Sequence, residues 1–204
     1  NGCRQCDPSH MSHAALRIIH DEHAALAAML RSILLLLSQH RRQGTLPDFA
    51  VLRAMLFYMD EFPEQRHHMK ESALLFPKLR ARSAEANDVL DRLDQDHARG
   101  ERAIRDLEHA LLAFEMMGEA RREAFEQAAQ QYADFYLQHM SLEEKQVLPL
   151  AERVLLAQDW AELDAAFIAN RDPLTGHEPE DDYRALFSRI VNALPAPLGL
   201  GEAR

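Results

Sequence analysis

Residues 125–150, FEQAAQQYADFYLQHMSLEEKQVLPL, decide the fold of this 204-residue chain. Apolar side chains recur in this stretch every three or four residues, which is the spacing of one face of an α-helix. They are Phe125, Ala129, Tyr132, Tyr136, Val147 and Leu150. Pro149 has no backbone N–H to donate, so it should bend the helix locally. The stretch therefore predicts a long helix, from about residue 119 to 156, with one side in a core.

Three earlier segments carry the same period, at about residues 12–40, 48–77 and 84–117. Gly44, Pro47 and Gly118 interrupt the pattern between helices, as expected for short connections. Pro63 and Pro77 should bend the second helix. Four long helices with short connections predict an all-α fold, an antiparallel up-down four-helix bundle with an additional C-terminal helical appendage.

The chain divides into three predicted parts. Residues 1–12 form a flexible N-terminal tail that holds Cys3 and Cys6, residues 13–156 the bundle, and residues 157–204 a C-terminal helical extension that packs on the bundle. With only two cysteines there is no disulfide framework to shape the fold.

Composition narrows the choice of partners. A formal net charge of -10, without a local cluster of Lys and Arg, argues against nucleic acid and anionic membranes. The longest apolar run, Ile33 to Leu37, is too short to cross a bilayer. We therefore expect a cytoplasmic protein with no nucleic-acid or membrane partner, and a homodimer through an exposed helix face stays open.

A histidine interrupts each of the four apolar stripes, where the period calls for a core residue: His23, His67, His97 and His139. In three of the helices a glutamate follows four residues later, as Glu71, Glu101 and Glu143, and residues at this spacing share a helix face. Buried carboxylates require compensating positive charge, and no Arg or Lys occupies these positions. A pair of metal ions would supply it, and imidazole with carboxylate suits iron, with manganese or zinc as alternatives.

Other readings of the same residues stay open. Each histidine could be a satisfied core residue and each glutamate a solvent-facing one. His20, three residues before His23, is a further candidate ligand. His68 and Glu144 are turned about 100° from their neighbours and should face elsewhere unless a π-bulge rotates them.

Four segments of the chain resemble the hemerythrin-like, or HHE cation-binding, family. They are Ile19-His20-Asp21-Glu22-His23, Phe62 to Glu71 continuing to Leu75-Phe76-Pro77, Asp96-His97-Ala98-Arg99-Gly100-Glu101, and His139 to Glu144 continuing to Val147-Leu148-Pro149. The resemblance implies a non-heme di-iron centre, with His23, His67, Glu71, His97, His139 and Glu143 as ligands and dioxygen or nitric oxide as the bound molecule. Glu101 joins them as a candidate on the spacing argument.

One position departs from the family pattern. Oxygen-carrying hemerythrins have a second histidine on the third helix where this sequence has Glu101, and an additional anionic ligand would favour the ferric state. Sensing or handling of oxygen, nitric oxide or redox state is therefore favoured over reversible oxygen carriage. The alternatives are a di-iron oxidoreductase acting on peroxide, nitric oxide or ferrous iron, and a metal-stabilised regulatory or scaffold protein.

Overall fold

The computed structural model describes residues 13–193 and is all-helical over that range. Its α-helices are α1 Ala14–Gln43, α2 Phe49–Met59, α3 Phe76–Arg82, α4 Asn87–Met117, α5 Arg122–Leu142, α6 Leu148–Val154, α7 Ala157–Ile168 and α8 Arg184–Ala193. The predicted tail at residues 1–12, with both cysteines, lies outside the described residues, as do residues 194–204 of the predicted C-terminal extension.

Two of the four long helices are not regular α-helices. Two π-helical segments, Asp60–His68 and Glu71–Leu75, join α2 to α3, so residues 49–82 form one continuous irregular helix. A third π segment, Glu143–Val147, joins α5 to α6 in the same way. Two of the three end shortly before a proline, Pro77 or Pro149, because a proline cannot donate the backbone hydrogen bond that holds an α-turn closed.

Glycine and aspartate punctuate the helices where the sequence predicts. Gly44 ends α1 in the left-handed conformation, with φ 64°, and Gly118 ends α4 with φ 65°. Asp48 caps α2, because its side chain accepts hydrogen bonds from the backbone N–H groups of Ala50 and Val51.

The apolar residues form two separate cores. One contains Leu30 and Leu37 of α1 with Leu107 of α4, and the other contains Ile19 of α1 with Leu93 of α4 and Leu148 of α6. The antiparallel up-down order of the long helices stays a prediction. The polar cluster described below lies between the two cores.

The C-terminal elements contact the long helices. Helix α7 packs against α1, and α8 packs against α2. Helix α8 begins at Arg184 after a 3₁₀ turn, Asp181–Tyr183. The division at residue 156 stays a prediction. None of the helices between residues 13 and 193 combines the length and apolar character needed to cross a membrane.

Candidate metal centre

Histidine and glutamate side chains from all four long helices meet between the two cores. Two groups could each hold a metal ion, with donor atoms within 4.8 Å of one another: His23, His67 and Glu71, and His68, Glu71, His97 and His139. Glu143 joins both, because its carboxylate lies 3.3 Å from Nε2 of His23 and 3.4 Å from Nε2 of His139. Glu71 belongs to both groups.

The imidazoles point their Nε2 atoms inward. Nε2 of His23 lies 3.2 Å from Nε2 of His67, and Nε2 of His97 lies 3.0 Å from Nε2 of His139. Two nitrogen atoms held this close, each beside a carboxylate oxygen, converge as ligands of one ion do. The cluster therefore offers two imidazole pairs, one on each side of Glu71 and Glu143.

The opposite ring atom, Nδ1, faces an oxygen in each histidine. Nδ1 of His23 lies 3.0 Å from Glu144, that of His67 2.6 Å from Glu22, that of His68 3.1 Å from Glu64, that of His97 2.8 Å from Ser72, and that of His139 3.6 Å from Asp96. An Nδ1–H that donates to such an oxygen fixes the tautomer and leaves the Nε2 lone pair for a metal ion. This arrangement is typical of metal-binding histidines.

Glu71 and Glu143 show whether the cluster suits metal ions. Both side chains are fully buried, and none of their four carboxylate oxygens makes a well-formed hydrogen bond among the described residues. The polar atoms beside them are imidazole Nε2 atoms, at 3.0 Å for His67 and Glu71 and 3.4 Å for His139 and Glu143. Buried carboxylates without donors are costly, and a cation is the usual compensation. The residues present therefore suit metal ions as ligands rather than a network of hydrogen bonds alone.

The electrostatics of the cluster divide protons unevenly among the histidines. Burial acts to lower the pKa of His139, but the carboxylates of Glu143 and Asp96 raise it to about 10. Burial and Glu143 act to raise the pKa of Glu71, but the imidazole of His67 lowers it to about 2. Burial, together with His97, lowers the pKa of His68 well below its usual value. In the metal-free protein at neutral pH, His139 thus holds a proton that His68 does not.

Residues 14–151 match the family model of the hemerythrin HHE cation binding domain. The chain belongs to the hemerythrin HHE cation-binding family. No curated protein and no solved structure matches the chain. The HHE domain thus covers α1 to α6 up to Ala151 and contains every side chain of the cluster, whereas α7 and α8 lie beyond the matched residues.

Two of the predicted ligands are not brought to the cluster of the HHE domain. Glu101 is exposed, because the buried stripe of α4 runs from His97 through Gly100 to Ile104 and position 101 lies beside it. Gly100 takes the buried position instead, packed against the hydroxyl of Tyr136. His20 is 52% exposed and faces Glu144 at 3.6 Å. The ligation of Glu101 and His20 is thus without support from the geometry.

Sequence spacing missed two buried members of the HHE site. His68 faces the cluster because the π-helical segment ending at it rotates the chain, and its ring stacks on that of His97 with centroids 4.5 Å apart. Glu64 accepts hydrogen bonds from the hydroxyls of Tyr132 and Tyr136. The prolines at positions 63 and 77 were the available signal, since they mark where helical phase can change.

A cavity of about 360 Å³ connects the cluster with the surface. Its lining includes the buried rings of His68 and His97 and the exposed side chains of Met69 and Glu101. A small molecule could therefore approach the metal centre between the second and third long helices. Glu101 stands at the mouth of this route rather than at its end.

Proposed function

We propose that this HHE protein holds two non-heme iron ions and binds dioxygen or a related diatomic molecule at them. One ion takes the imidazoles of His23 and His67, the other those of His68, His97 and His139, and Glu71 and Glu143 serve both. The sharing of Glu71 by two groups of donor atoms is the observation that carries the proposal. Bridging carboxylates are the usual means of holding two ions in a helical bundle.

The donor set favours iron among the available metals. Imidazole and carboxylate ligands suit iron and manganese, and zinc is the further alternative. His68 supplies an imidazole beside His97, on the side where the oxygen carriers of the family have an additional histidine. This nitrogen-rich second group supports diatomic binding more than the glutamate-rich group expected from Glu101.

The bound iron would supply the reversible electron transfer that dioxygen or nitric oxide chemistry requires. The chain itself provides the surroundings. Phe76 stacks against the ring of His97 at 5.6 Å, and Tyr136 lies against His68 at 5.3 Å. Apolar walls of this kind exclude bulk water, while the cavity beside His68 and His97 admits a small ligand.

Two further functions are consistent with the same site. The first is a di-iron oxidoreductase acting on peroxide, nitric oxide or ferrous iron, which the buried pair of Tyr132 and Tyr136 beside the cluster favours, because tyrosine can relay an electron. The second is a metal-stabilised regulatory or scaffold protein, favoured by the close contact of α7 with α1. Turnover by the iron-loaded protein identifies the enzyme, and loss of helicity on metal removal identifies the scaffold.

The first experiment is elemental analysis of the purified protein, together with absorption spectra recorded anaerobically, after air, and after nitric oxide. Two iron atoms per chain and a spectrum that changes with the added gas are the expected results. Two zinc or two manganese ions per chain would support the metal site but contradict the binding of a diatomic molecule at iron. No bound metal after reconstitution with ferrous iron would refute the proposal.

A pair of double variants separates the cluster from surface histidines. His97→Ala with His139→Ala should abolish stoichiometric iron binding, because two ligands of one ion are removed. His20→Ala with His109→Ala is the matched control, since both histidines are exposed. Far-UV circular dichroism shows whether each variant is folded. Unchanged iron content in the first variant would contradict the assigned ligands.

A further inference from the structure

The segment after α7 reaches back to the metal centre, although it lies outside the residues matched by the HHE family. Asn170 and Asp172 are 2% and 3% exposed, so both side chains are buried against the long helices. Arg171 between them has φ 47°, a left-handed conformation that an arginine rarely adopts. Such a residue persists only where its neighbours determine the path of the chain.

Asn170 contacts the carboxylate that orients a candidate metal ligand. Its Nδ2 donates to Oε2 of Glu22 at 3.0 Å, and the same oxygen accepts from Nδ1 of His67 at 2.6 Å. Lys70 donates to Oδ1 of Asn170, which fixes the amide with its N–H₂ toward Glu22. The amide of Asn170 therefore links the segment after α7 to His67 through one oxygen atom of Glu22.

The hydrogen bond from Asn170 holds the carboxylate of Glu22 in one orientation toward His67. A carboxylate can rotate, and an additional hydrogen bond to the same oxygen restrains it toward the ring. The Nδ1 proton of His67 then stays on the side of Glu22, and its Nε2 stays directed toward Glu71, 3.0 Å away. Outer partners of this kind typically change metal affinity by about 10–100-fold.

We propose that Asn170 is a positioning residue of the metal centre, which acts through Glu22 to hold the ring of His67 for metal binding. The inference rests on the proposed function. Its new content is that a residue beyond the family domain tunes metal affinity. Because linkage is reciprocal, metal binding also strengthens the docking of the segment from α7 to Asp172.

A second contact of the same segment supplies the control. Asp172 accepts a hydrogen bond from the hydroxyl of Tyr58 at 2.7 Å, and Tyr58 contacts neither Glu22 nor His67 by hydrogen bond. Tyr58→Phe therefore loosens the segment without cutting the path to the metal. Asn170→Asp keeps the size and the oxygen that accepts from Lys70 but removes the donor to Glu22.

The experiment measures iron affinity by chelator competition, and the absorption spectrum of the iron-loaded protein, for wild type, Asn170→Asp and Tyr58→Phe. We expect about 10–100-fold weaker binding and a shifted spectrum for Asn170→Asp. Tyr58→Phe should stay within about twofold of wild type and keep its spectrum, even if its thermal stability falls. Asn170→Ala, which lacks the added charge, serves as a second variant if Asn170→Asp does not fold.

A rescue variant tests the direction of the hydrogen bond. In Glu22→Gln with Asn170→Asp, the amide at position 22 can accept from His67 and donate to the new carboxylate. Recovery of at least part of the lost affinity and of the spectrum is the expected result. Equal weakening in Tyr58→Phe and both Asn170 variants would overturn the inference alone, whereas a wild-type protein without bound metal would refute the proposed function as well.

Discussion

The motif His-x-x-x-Glu places its glutamate differently in the second and fourth long helices than in the third. In the second and fourth, Glu71 and Glu143 are buried, each begins a π-helical segment, and each is followed six residues later by a proline. In the third helix, Glu101 is exposed, and the residue six positions later is Leu107. The same short motif therefore brings its glutamate to the site in two helices and leaves it at the surface in one.

The two kinds of helix also differ in the turns that follow the glutamate. In a regular α-helix, four residues turn about 40° more than a full circle, so side chains four apart drift around the surface. The turn from His139 to Glu143 is of this α-helical kind, because the N–H of Glu143 donates to the carbonyl of His139. The wider turns begin only at Glu71 and Glu143. Pro77 and Pro149 leave an acceptor of the preceding turn without its donor and so favour the wider turn. Spacing alone is thus an incomplete guide to which carboxylates reach a site.

The strongest test of this contrast replaces one glutamate from each kind of helix. Glu71→Ala should lose both metal ions, because Glu71 belongs to both groups of donors. Glu101→Ala should keep two ions per chain, because its side chain is exposed. Elemental analysis after gel filtration measures both. Equal metal loss in the two variants would remove the distinction between the helices.

A second test concerns His68, which the π-helical segment turns inward. His68→Leu should weaken the binding of one of the two ions by about 100-fold or more. Even the loss of a residue that only orients a ligand lowers metal affinity by about 10–100-fold. His20→Leu is the control, because His20 is 52% exposed. Chelator competition gives both affinities. Wild-type affinity in His68→Leu would show that this histidine only fills space.

Gly100 tests the third helix directly. Alanine in a helix interior is normally favoured over glycine by about 1 kcal/mol, but an added Cβ here would overlap the hydroxyl of Tyr136. Gly100→Ala should therefore lower the free energy of unfolding by about 1–3 kcal/mol, measured in urea. Tyr136→Phe in the same chain should recover part of the loss. A stabilised single variant would contradict the close packing.

The smallest effect separates His139 from His68 by pH. The pKa of His139 is about 10 in the folded, metal-free protein, above its ordinary value of 6.5. Its stabilising contribution is therefore complete below pH 6.5 and is lost as pH rises toward 10. Urea unfolding should give a free energy lower by about 1 kcal/mol at pH 9.5 than at pH 8.5. His139→Gln should reduce this dependence to the part that His67 contributes, since burial acts to lower the pKa of His67 but the carboxylates of Glu71 and Glu22 raise it well above its usual value. His68→Leu should leave the dependence in place, because the pKa of His68 is lowered.

Much of the fold was predictable because its signals are local. The apolar period gave the four long helices, and Gly44, Pro47 and Gly118 marked their ends to within a few residues. The all-helical prediction is confirmed for residues 13–193, and so is the family. The rotational position of side chains within the helices was not fully predicted, because a period of 3.6 residues was assumed through segments that are π-helical.

The residues of the candidate site were predictable only where the pattern within a single helix identifies them. His23, His67, His97 and His139 stand out because each interrupts an apolar stripe, and the structure brings all four together. Glu22 and Asn170 could not be found in this way, because they meet across 148 positions of the chain. Such contacts depend on the packing of α7 against α1, which periodicity does not contain.

The π-helical segments also bear on how chains of this kind should be aligned with one another. A wide turn holds one residue more than an α-turn, so the loss of a single residue between Glu71 and Pro77 could be absorbed there as an ordinary turn. The core residues on either side, such as Leu79, would keep their register, and only the ligand-bearing turn would change. Single-residue gaps at these places in an alignment would therefore mark altered metal ligands, even where the flanking helices look identical.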